Sequence, residues 1–273
     1  MSKIRPEDLL NFNERGLIPG PDENEEAFLT RIQKLDHFFS YPTETIDDFL
    51  TDGDWGPART LTHKLFDFSL DWVVAHYSNK NLPFFQGAAT WLIDQNGIQI
   101  PIIQLKTKFE SGGLYKIYHK EEVLAHESIH AARMAFNAPQ FEEIFAYMTA
   151  KSSLRKCLGP IFQKSWESYV FLIFFIASFF FQIFFPHWQL LFLLPWFYFA
   201  FLGMRLTFLR FKLGGCLRKL SKLLFDPSDA LPVAVRLTDQ EIFLFAKSSA
   251  DQIQSYIREQ SSLRWKLLRQ LIN

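Results

Sequence analysis

The chain has 273 residues, a formal net charge of zero at pH 7 and 48% hydrophobic residues, among them 31 phenylalanines. This hydrophobic content excludes a disordered chain, and the neutral balance, with no basic residues interleaved to follow a phosphate backbone, argues against nucleic acid as a partner. The two cysteines, Cys157 and Cys216, are too few for a disulfide framework, and we expect free thiols.

The N-terminal arm, residues 1–80, is predicted to be helical. It begins with MSKIRPEDLLNFNERG, which has no apolar stretch of the kind found in a cleaved secretory signal, so no such signal is expected. Apolar residues recur at helical spacing in residues 25–39 and 58–77. Between these two segments, the composition of TDGDWGP, residues 51–57, predicts a loop.

A β-hairpin is predicted next. Two apolar segments, residues 88–94 and 98–105, flank Asn96-Gly97, a dipeptide favoured in type I′ turns. Pro101 has no N–H for a ladder hydrogen bond, which predicts that the second strand lies at the edge of the sheet. Such an edge is a candidate site for an extended peptide.

The sequence His126-Glu127-Ser128-Ile129-His130 fits the pattern H-E-x-x-H within a predicted helix. Residues four apart lie on the same side of a helix, so His126 and His130 can reach one metal ion. Glu127 is turned by about 100° around the axis, where a carboxylate reaches a metal-bound water rather than the metal. Zinc favours a tetrahedron of nitrogen and oxygen ligands, with a third protein ligand and one open position in catalytic sites.

A third ligand is predicted from the helix that follows. Asn137-Ala138-Pro139 ends the first helix, and the next helix carries two adjacent carboxylates, Glu142 and Glu143. A second helix that returns against the first can bring one of them to the same ion. Arg133 is expected either to hold the unused carboxylate or to form a surface ion pair.

Two uncharged apolar segments follow, residues 169–185 and 190–204, separated by the link PHWQ. With their flanks, each approaches the ~20 residues that a helix needs to cross ~30 Å of hydrocarbon. We therefore predict a transmembrane hairpin whose second helix is kinked at Pro195. Lysine and arginine flank the pair on its outer sides and are absent from the link, which predicts that both long arms lie on the cytoplasmic side.

Beyond the hairpin, residues 233–237 are predicted to form a short strand. Thr238 and Glu241 have the spacing of a capping box, which predicts the start of a helix that continues to residue 257. The C-terminal sequence SSLRWKLLRQLIN is typical of a basic amphipathic helix. Such a helix either lies on a membrane surface or packs on its neighbours.

Residues 120–150 resemble the gluzincin branch of the zincin metallopeptidases, in which HExxH on one helix is completed by a glutamate on a following helix. The resemblance implies that His126 and His130 bind zinc and that Glu127 is the general base. Glu143, in Glu-Ile-Phe-Ala, matches the Glu-x-x-Ala signature around the third ligand. The implied activity is hydrolysis of a protein or peptide substrate, with zinc as the cofactor.

Two other glutamates are alternatives for the third ligand. Glu142 is adjacent to Glu143, and Glu241 lies beyond the apolar hairpin, which some membrane-anchored relatives of the CAAX prenyl protease kind place between HExxH and the third ligand. In relatives of that kind an aspartate commonly follows the alanine, where this chain has Tyr147. Three side chains are candidates for stabilising the oxyanion: Tyr147, Tyr256 and His119.

Together these features predict an α+β protein, with a mostly helical, zincin-like soluble domain and a small β-sheet, interrupted by a two-helix transmembrane hairpin. The expected parts are a cytoplasmic domain at residues 1–164 with its metal-binding helices at 119–158, the hairpin at 165–209, and a C-terminal helical segment at 210–273 that packs on the peptidase domain. The predicted function is a membrane-anchored zinc metalloprotease, whose partners are a peptide substrate and the lipid bilayer. The alternative is a catalytically inactive membrane scaffold with a structural metal or a metal-free histidine–glutamate cluster.

Overall fold

A computed structural model describes residues 4–40, 49–83, 86–95, 97–111, 113–114, 118–184 and 189–272. It is mostly helical (67%), with a small sheet and two long apolar helices, in agreement with the predicted α+β class. The N-terminal arm holds α1 (Pro6–Glu14), α2 (Glu25–Ser40) and α3 (Asp52–Phe66).

Helix α3 begins earlier than predicted. The expected loop at residues 51–57 is wrong, because the helix starts at Asp52 and includes Pro57. The carboxylate of Asp54 accepts a hydrogen bond from the Thr51 N–H at 3.0 Å and another from the Thr51 hydroxyl at 2.9 Å. This side-chain cap holds the first turn in place in spite of its glycines.

The predicted helix at residues 58–77 is wrong beyond Phe66. The next residue, Asp67, has a left-handed backbone conformation with φ 56°, which ends α3. After it, Phe68, Leu70 and Trp72 are buried at every second position, the period of an extended chain rather than a helix. This segment leads into β1 (Ala75–Tyr77).

A three-stranded sheet contains β1, β2 (Ala88–Gln95) and β3 (Ile98–Leu105) in the order β1-β3-β2. The predicted hairpin is confirmed by the antiparallel pairing of β2 with β3. The predicted edge position of β3 is wrong, since β1 pairs with its last residues in parallel. Ile103 donates its N–H to the Val74 carbonyl, on the β1 side of β3. The Pro101 nitrogen faces the same side, because it is two residues away, but it lies beyond the end of β1. No ladder bond is lost, and β1 and β2 are the two edge strands of this sheet.

Helix α4 (Lys120–Arg133) follows a two-stranded ribbon of β4 (Gly113–Leu114) and β5 (Tyr118–His119). It packs against α3, α5 (Pro139–Tyr147) and the strands β2 and β3. Three fully or almost fully buried alanines let these neighbours approach the α4 backbone: Ala125, Ala131 and Ala132. The break predicted between α4 and α5 is confirmed. A short helix, α6 (Ser153–Leu158), precedes the apolar helices.

Two helices, α7 (Ser165–Phe184) and α8 (Leu194–Leu223), have the length and composition to cross a membrane. Only 11% and 17% of their most apolar windows are buried, unlike the core helices of soluble proteins. The link residues 185–188 lie outside the described part of the chain. Pro195 is the second residue of α8, directly after a 3₁₀ turn at Gln189–Leu193, where its missing N–H costs no hydrogen bond of the α-helix.

The C-terminal segment contains α9 (Ala230–Ala234), α10 (Asp239–Lys247), α11 (Ala250–Glu259) and α12 (Leu263–Ile272). The predicted strand at residues 233–237 is wrong, because Val233 belongs to α9. The capping box of Thr238 and Glu241 is present, but α10 ends at Lys247 and a second box restarts the chain as α11. Residues Trp265, Leu267 and Leu268 of α12 are buried, so this helix packs on its neighbours rather than on a membrane surface.

Helix α8 continues from the apolar hairpin into the soluble part of the protein. Its buried residues Leu209, Leu213, Cys216 and Leu220 form one stripe, and this half of the helix packs against α10. Cys157 and Cys216 are both free thiols, as predicted.

Candidate metal centre

Helix α4 places His126 and His130 one turn apart on the same face, with their Nε2 atoms 3.3 Å from each other. The neighbouring residues Leu124 and Ile129 are fully buried in the core, which fixes the rotation of α4 about its axis. Both imidazoles therefore point away from the core and towards α5.

Glu143 of α5 completes the cluster. Its Oε2 atom lies 3.6 Å from the His126 Nε2 atom, and its Oε1 atom lies 3.5 Å from the His130 Nε2 atom. One ligand atom from each of the three residues lies within 4.8 Å of the other two. Among the described residues, this is the one group of three or more such side chains that meets this distance.

The shortest separations are close to those around a tetrahedral ion. Nitrogen and oxygen ligands at 2.0–2.1 Å from zinc lie about 3.3 Å from one another in a tetrahedron. The two histidine nitrogens are 3.3 Å apart, and the nearest Glu143 oxygen is 3.6 Å from that of His126 and 3.5 Å from that of His130, through two different oxygens of the carboxylate. The donor set of two imidazoles and one carboxylate is also one that zinc favours, and it leaves the fourth position open.

Glu142 does not lie in the cluster but contacts the His130 ring nitrogen that is not part of it. Its Oε1 atom is 2.6 Å from the Nδ1 atom of His130. This contact places a proton on Nδ1 and leaves Nε2 directed at the cluster, which is how carboxylates commonly orient histidine ligands. Arg133 is fully buried, with its Nε atom 4.0 Å from Glu142 and its guanidinium donating to the Leu237 carbonyl at 3.2 Å. Arg133 therefore lies beside the Glu142 carboxylate, in the interior, and does not form the expected surface ion pair.

Glu127 lies beside the two histidines, with a side chain held by the edge strand. The Thr90 hydroxyl of β2 donates to its Oε2 atom at 2.8 Å. Burial raises the pKa of the Glu127 carboxyl from its ordinary value. Such a carboxyl is better matched to accepting and returning a proton near neutral pH. Thr90 could not be predicted from the sequence, because its contact with Glu127 joins residues 37 positions apart.

The histidines differ in their affinity for protons. Burial, together with the charge of His130, lowers the pKa of His126 well below its usual value. Burial also lowers the pKa of His130, but the hydrogen bond with Glu142 and the charges of Glu143 and Glu142 raise it to about 10. Burial raises the pKa of Glu143 to about 7. Since a ligating imidazole must be neutral, a metal ion bound by this cluster would displace a proton from His130.

Glu241, the alternative ligand beyond the hairpin, does not belong to the cluster. It is buried, and its two carboxylate oxygens accept hydrogen bonds from Arg264 at 2.7 and 2.9 Å. The Trp265 ring nitrogen donates to the same carboxylate at 3.0 Å. This residue holds the C-terminal helices together instead.

The three candidates for oxyanion stabilisation occupy different places. The Tyr147 ring lies 4.6 Å from the His126 ring, edge to face, at the side of the cluster. The Tyr256 hydroxyl donates to Glu241 at 3.3 Å, and His119 is exposed at the start of α4. Tyr147 is therefore the candidate near the site. A Cβ atom at Gly159 would lie 2.1 Å from its ring, so a glycine is required behind it.

The cluster opens into a cleft of ≈ 800 Å³. One wall is the start of β2 with the residues before it, 86–90, together with Leu92. The floor is formed by α4 and α5. Residues 162–165 and Ser168, which lead into and begin the first apolar helix, also line the cleft. A cleft of this size is in the range of ligand-binding sites.

Comparisons of the chain with protein-family models, with characterised proteins and with solved structures found no significant match.

Proposed function

We propose that the protein is a membrane-anchored, zinc-dependent peptidase with a zincin-like site of the gluzincin type. The observation that carries this proposal is the convergence of His126, His130 and Glu143, with one ligand atom of each within 4.8 Å of the other two and with Glu127 on the same cleft. A structural zinc site in proteins usually has four protein ligands, whereas this one has three and opens to a cleft. That difference favours an enzyme over the inactive scaffold.

Each residue of the site has a role in this proposal. Zinc, when bound, supplies a Lewis acid that polarises the scissile carbonyl and lowers the pKa of a coordinated water to about 7. Glu127 accepts the proton of the attacking water and delivers it to the leaving amine. Thr90 keeps the Glu127 carboxylate turned towards the cleft, and Tyr147 is placed to donate to the oxyanion.

The strand that aligns the substrate is β2. The expectation that β3 does so is wrong, because β3 is the central strand. The free edge of β2 offers its N–H and C=O groups to an extended peptide, and the start of this strand forms a wall of the cleft that contains Glu127. A peptide bound there extends past the metal cluster.

The helices α7 and α8 anchor the peptidase in the bilayer. The segments before and after the hairpin pack together, since α10 lies against both α5 and α8, which supports a topology with both arms on the same side. The basic residues that flank the hairpin favour the cytoplasm for that side.

The test uses the full chain in detergent with zinc. The probe is a randomised peptide library, offered both free and fused to a transmembrane helix, with cut positions read by mass spectrometry. Glu127→Gln is expected to lower hydrolysis by about 10²–10⁴-fold, the contribution typical of general acid–base catalysis, and to leave the zinc content unchanged. Glu121→Gln is the matched control, because Glu121 lies on the same helix and its partner is the exposed Lys151.

Two results would contradict the proposal. Full hydrolysis by Glu127→Gln would remove this residue as the general base. Zinc binding by the wild-type chain without any Glu127-dependent cut in either form of the library would favour the scaffold.

A further inference from the structure

The cleft connects the metal cluster to the first apolar helix. The residues at its far end belong to the approach to α7 and to its first turn: Phe162, Gln163, Lys164, Ser165 and Ser168. His126, Glu127 and Glu143 line the other part of the same cleft. A ligand that fills the cleft therefore touches both the metal cluster and the base of the hairpin.

The base of the hairpin is the level at which the chain leaves the bilayer. Arg205 donates to Glu167 at 2.9 Å and to the Ile161 carbonyl at 3.0 Å, joining α8 to the start of α7. Between these two charged residues, along the hairpin, the described part of the chain has no charged side chain. An ion pair of this kind belongs at the headgroup level rather than in hydrocarbon. Ser168 lines the cleft and follows Glu167 directly, so this part of the cleft lies at the headgroup level.

Apolar side chains beside this end of the cleft face outward. Leu154 and Leu158, four residues apart on α6, are 66% and 47% exposed, and Trp166 is 55% exposed. Helix α6 lies against α8 just past Arg205, since the Arg210 guanidinium is 3.4 Å from the Cys157 sulfur. Exposed leucines and a tryptophan at the start of a membrane helix are typical of a surface that rests in the bilayer interface.

The size of the cleft limits the peptide that it holds. An extended strand occupies a cross-section of about 4.8 by 10 Å and advances about 3.3 Å per residue. The cleft volume of ≈ 800 Å³ then corresponds to about five residues. A peptide that fills the cleft contacts residues of the metal cluster and residues at the base of the hairpin, since both line it.

We propose, on the basis of the peptidase function proposed above, that the substrate is the juxtamembrane segment of a membrane-anchored protein. Its extended chain leaves its own span, enters the cleft at Ser168 and follows β2 to the metal cluster. The bond that is cut lies within about ten residues of that span. Hydrolysis adds one water across this bond and releases a free carboxylate and a free amine.

The test uses the full chain in lipid vesicles with a single-span test protein that carries a randomised segment of about 30 residues next to its span. Cut positions are mapped by mass spectrometry for the wild-type chain and for Glu127→Gln. We expect the Glu127-dependent cuts to cluster in the third of the segment nearest the span. The same segment without its span is expected to be cut at least tenfold more slowly.

A pair of variants tests the path through the cleft. Ser168→Trp fills its membrane end and is expected to lower the ratio of anchored to unanchored cleavage at least fivefold. Ser221→Trp is the matched control, because Ser221 is also on a helix and its hydroxyl donates to the carbonyl three residues before it, as that of Ser168 does, but it does not line the cleft. The control is expected to keep the wild-type ratio.

The possible failures are distinguishable. Glu127-dependent cuts spread evenly along the segment, or equal rates with and without the span, would overturn the juxtamembrane substrate and leave the peptidase intact. An unchanged ratio in Ser168→Trp would overturn the path at Ser168. The absence of any Glu127-dependent cut would overturn the peptidase function, and this inference with it.

Discussion

The contact between Glu142 and His130 leads to a prediction about zinc affinity. In Glu142→Gln, the 2.6 Å contact with the His130 Nδ1 atom loses its charge. Loss of a carboxylate behind a histidine ligand typically lowers metal affinity by 10–100-fold, or about 1.4–2.7 kcal/mol. The same change also lowers the pKa of His130, because the bond to Glu142 is the main reason that it is raised to about 10. The two effects oppose each other at neutral pH.

The pH dependence separates these effects. In the wild-type chain a proton occupies His130 at every pH below about 10, so apparent zinc affinity gains about tenfold per pH unit from this residue. Glu143, with its pKa raised to about 7 by burial, is mostly ionised above pH 7.5. Between pH 7.5 and 9, Glu142→Gln is expected to lose most of the pH dependence of zinc affinity that comes from His130. Its slope of log affinity against pH falls below the wild-type slope by up to one unit.

Competition with a chromophoric zinc chelator measures both slopes, and any proton lost by a coordinated water contributes equally to the two proteins. Glu121→Gln removes a carboxylate whose 2.6 Å contact is with a surface lysine, and its slope should equal that of the wild type. Parallel slopes for Glu142→Gln and the wild type would refute the role given to Glu142. Loss of zinc in Glu142→Gln with retention in Glu143→Gln would mean that the two glutamates have exchanged roles.

Two further predictions concern the surroundings of the site. Arg264→Met leaves the buried carboxylate of Glu241 without its charged partner, and we expect the free energy of unfolding to fall by about 3–5 kcal/mol, measured by denaturant titration in detergent. Gly159→Ala places a methyl group against the ring of Tyr147, and we expect a loss of about 1–3 kcal/mol in stability together with slower hydrolysis, because the ring is displaced from the metal cluster.

Each of these variants has a control elsewhere in the chain. Arg258→Met removes an exposed arginine, and its stability should stay within about 0.5 kcal/mol of the wild type. Gly56→Ala adds a methyl group in α3 where no atom lies within 4 Å. A loss in Arg264→Met no larger than in Arg258→Met would count against the buried ion pair. Wild-type stability and hydrolysis in Gly159→Ala would show that the Tyr147 ring is not confined.

Local geometry explains how much of the metal centre was predictable. Two histidines four residues apart on a helix face the same way in any fold, so their convergence follows from the pattern. The choice between Glu142 and Glu143 did not follow, because adjacent residues point about 100° apart on a helix. Which one faces α4 depends on the buried face of α5, formed by Phe141, Ile144 and Phe145.

The errors in the predicted elements have similar causes. The hairpin of β2 and β3 was predictable from its turn, but the position of β3 depends on its pairing with β1, over 20 residues earlier in the chain. The capping box at Thr238 was predictable, whereas the contact of the same Glu241 with Arg264 joins two separate helices. The cap at Thr51 is formed by Asp54, which lies between two glycines of the first turn. Because of these glycines, the composition alone favoured a loop.

The continuity of α8 has a mechanical consequence. Its 30 residues form one rod about 45 Å long, whose second half is buried in the soluble body beside α10. A protein tethered by a flexible linker can rotate freely above a membrane, but in the proposed membrane arrangement any tilt that bilayer thickness imposes on the rod also turns the body that carries the histidines. Under that proposal, the lipid composition of the host membrane affects the height and angle at which the cleft meets its substrate.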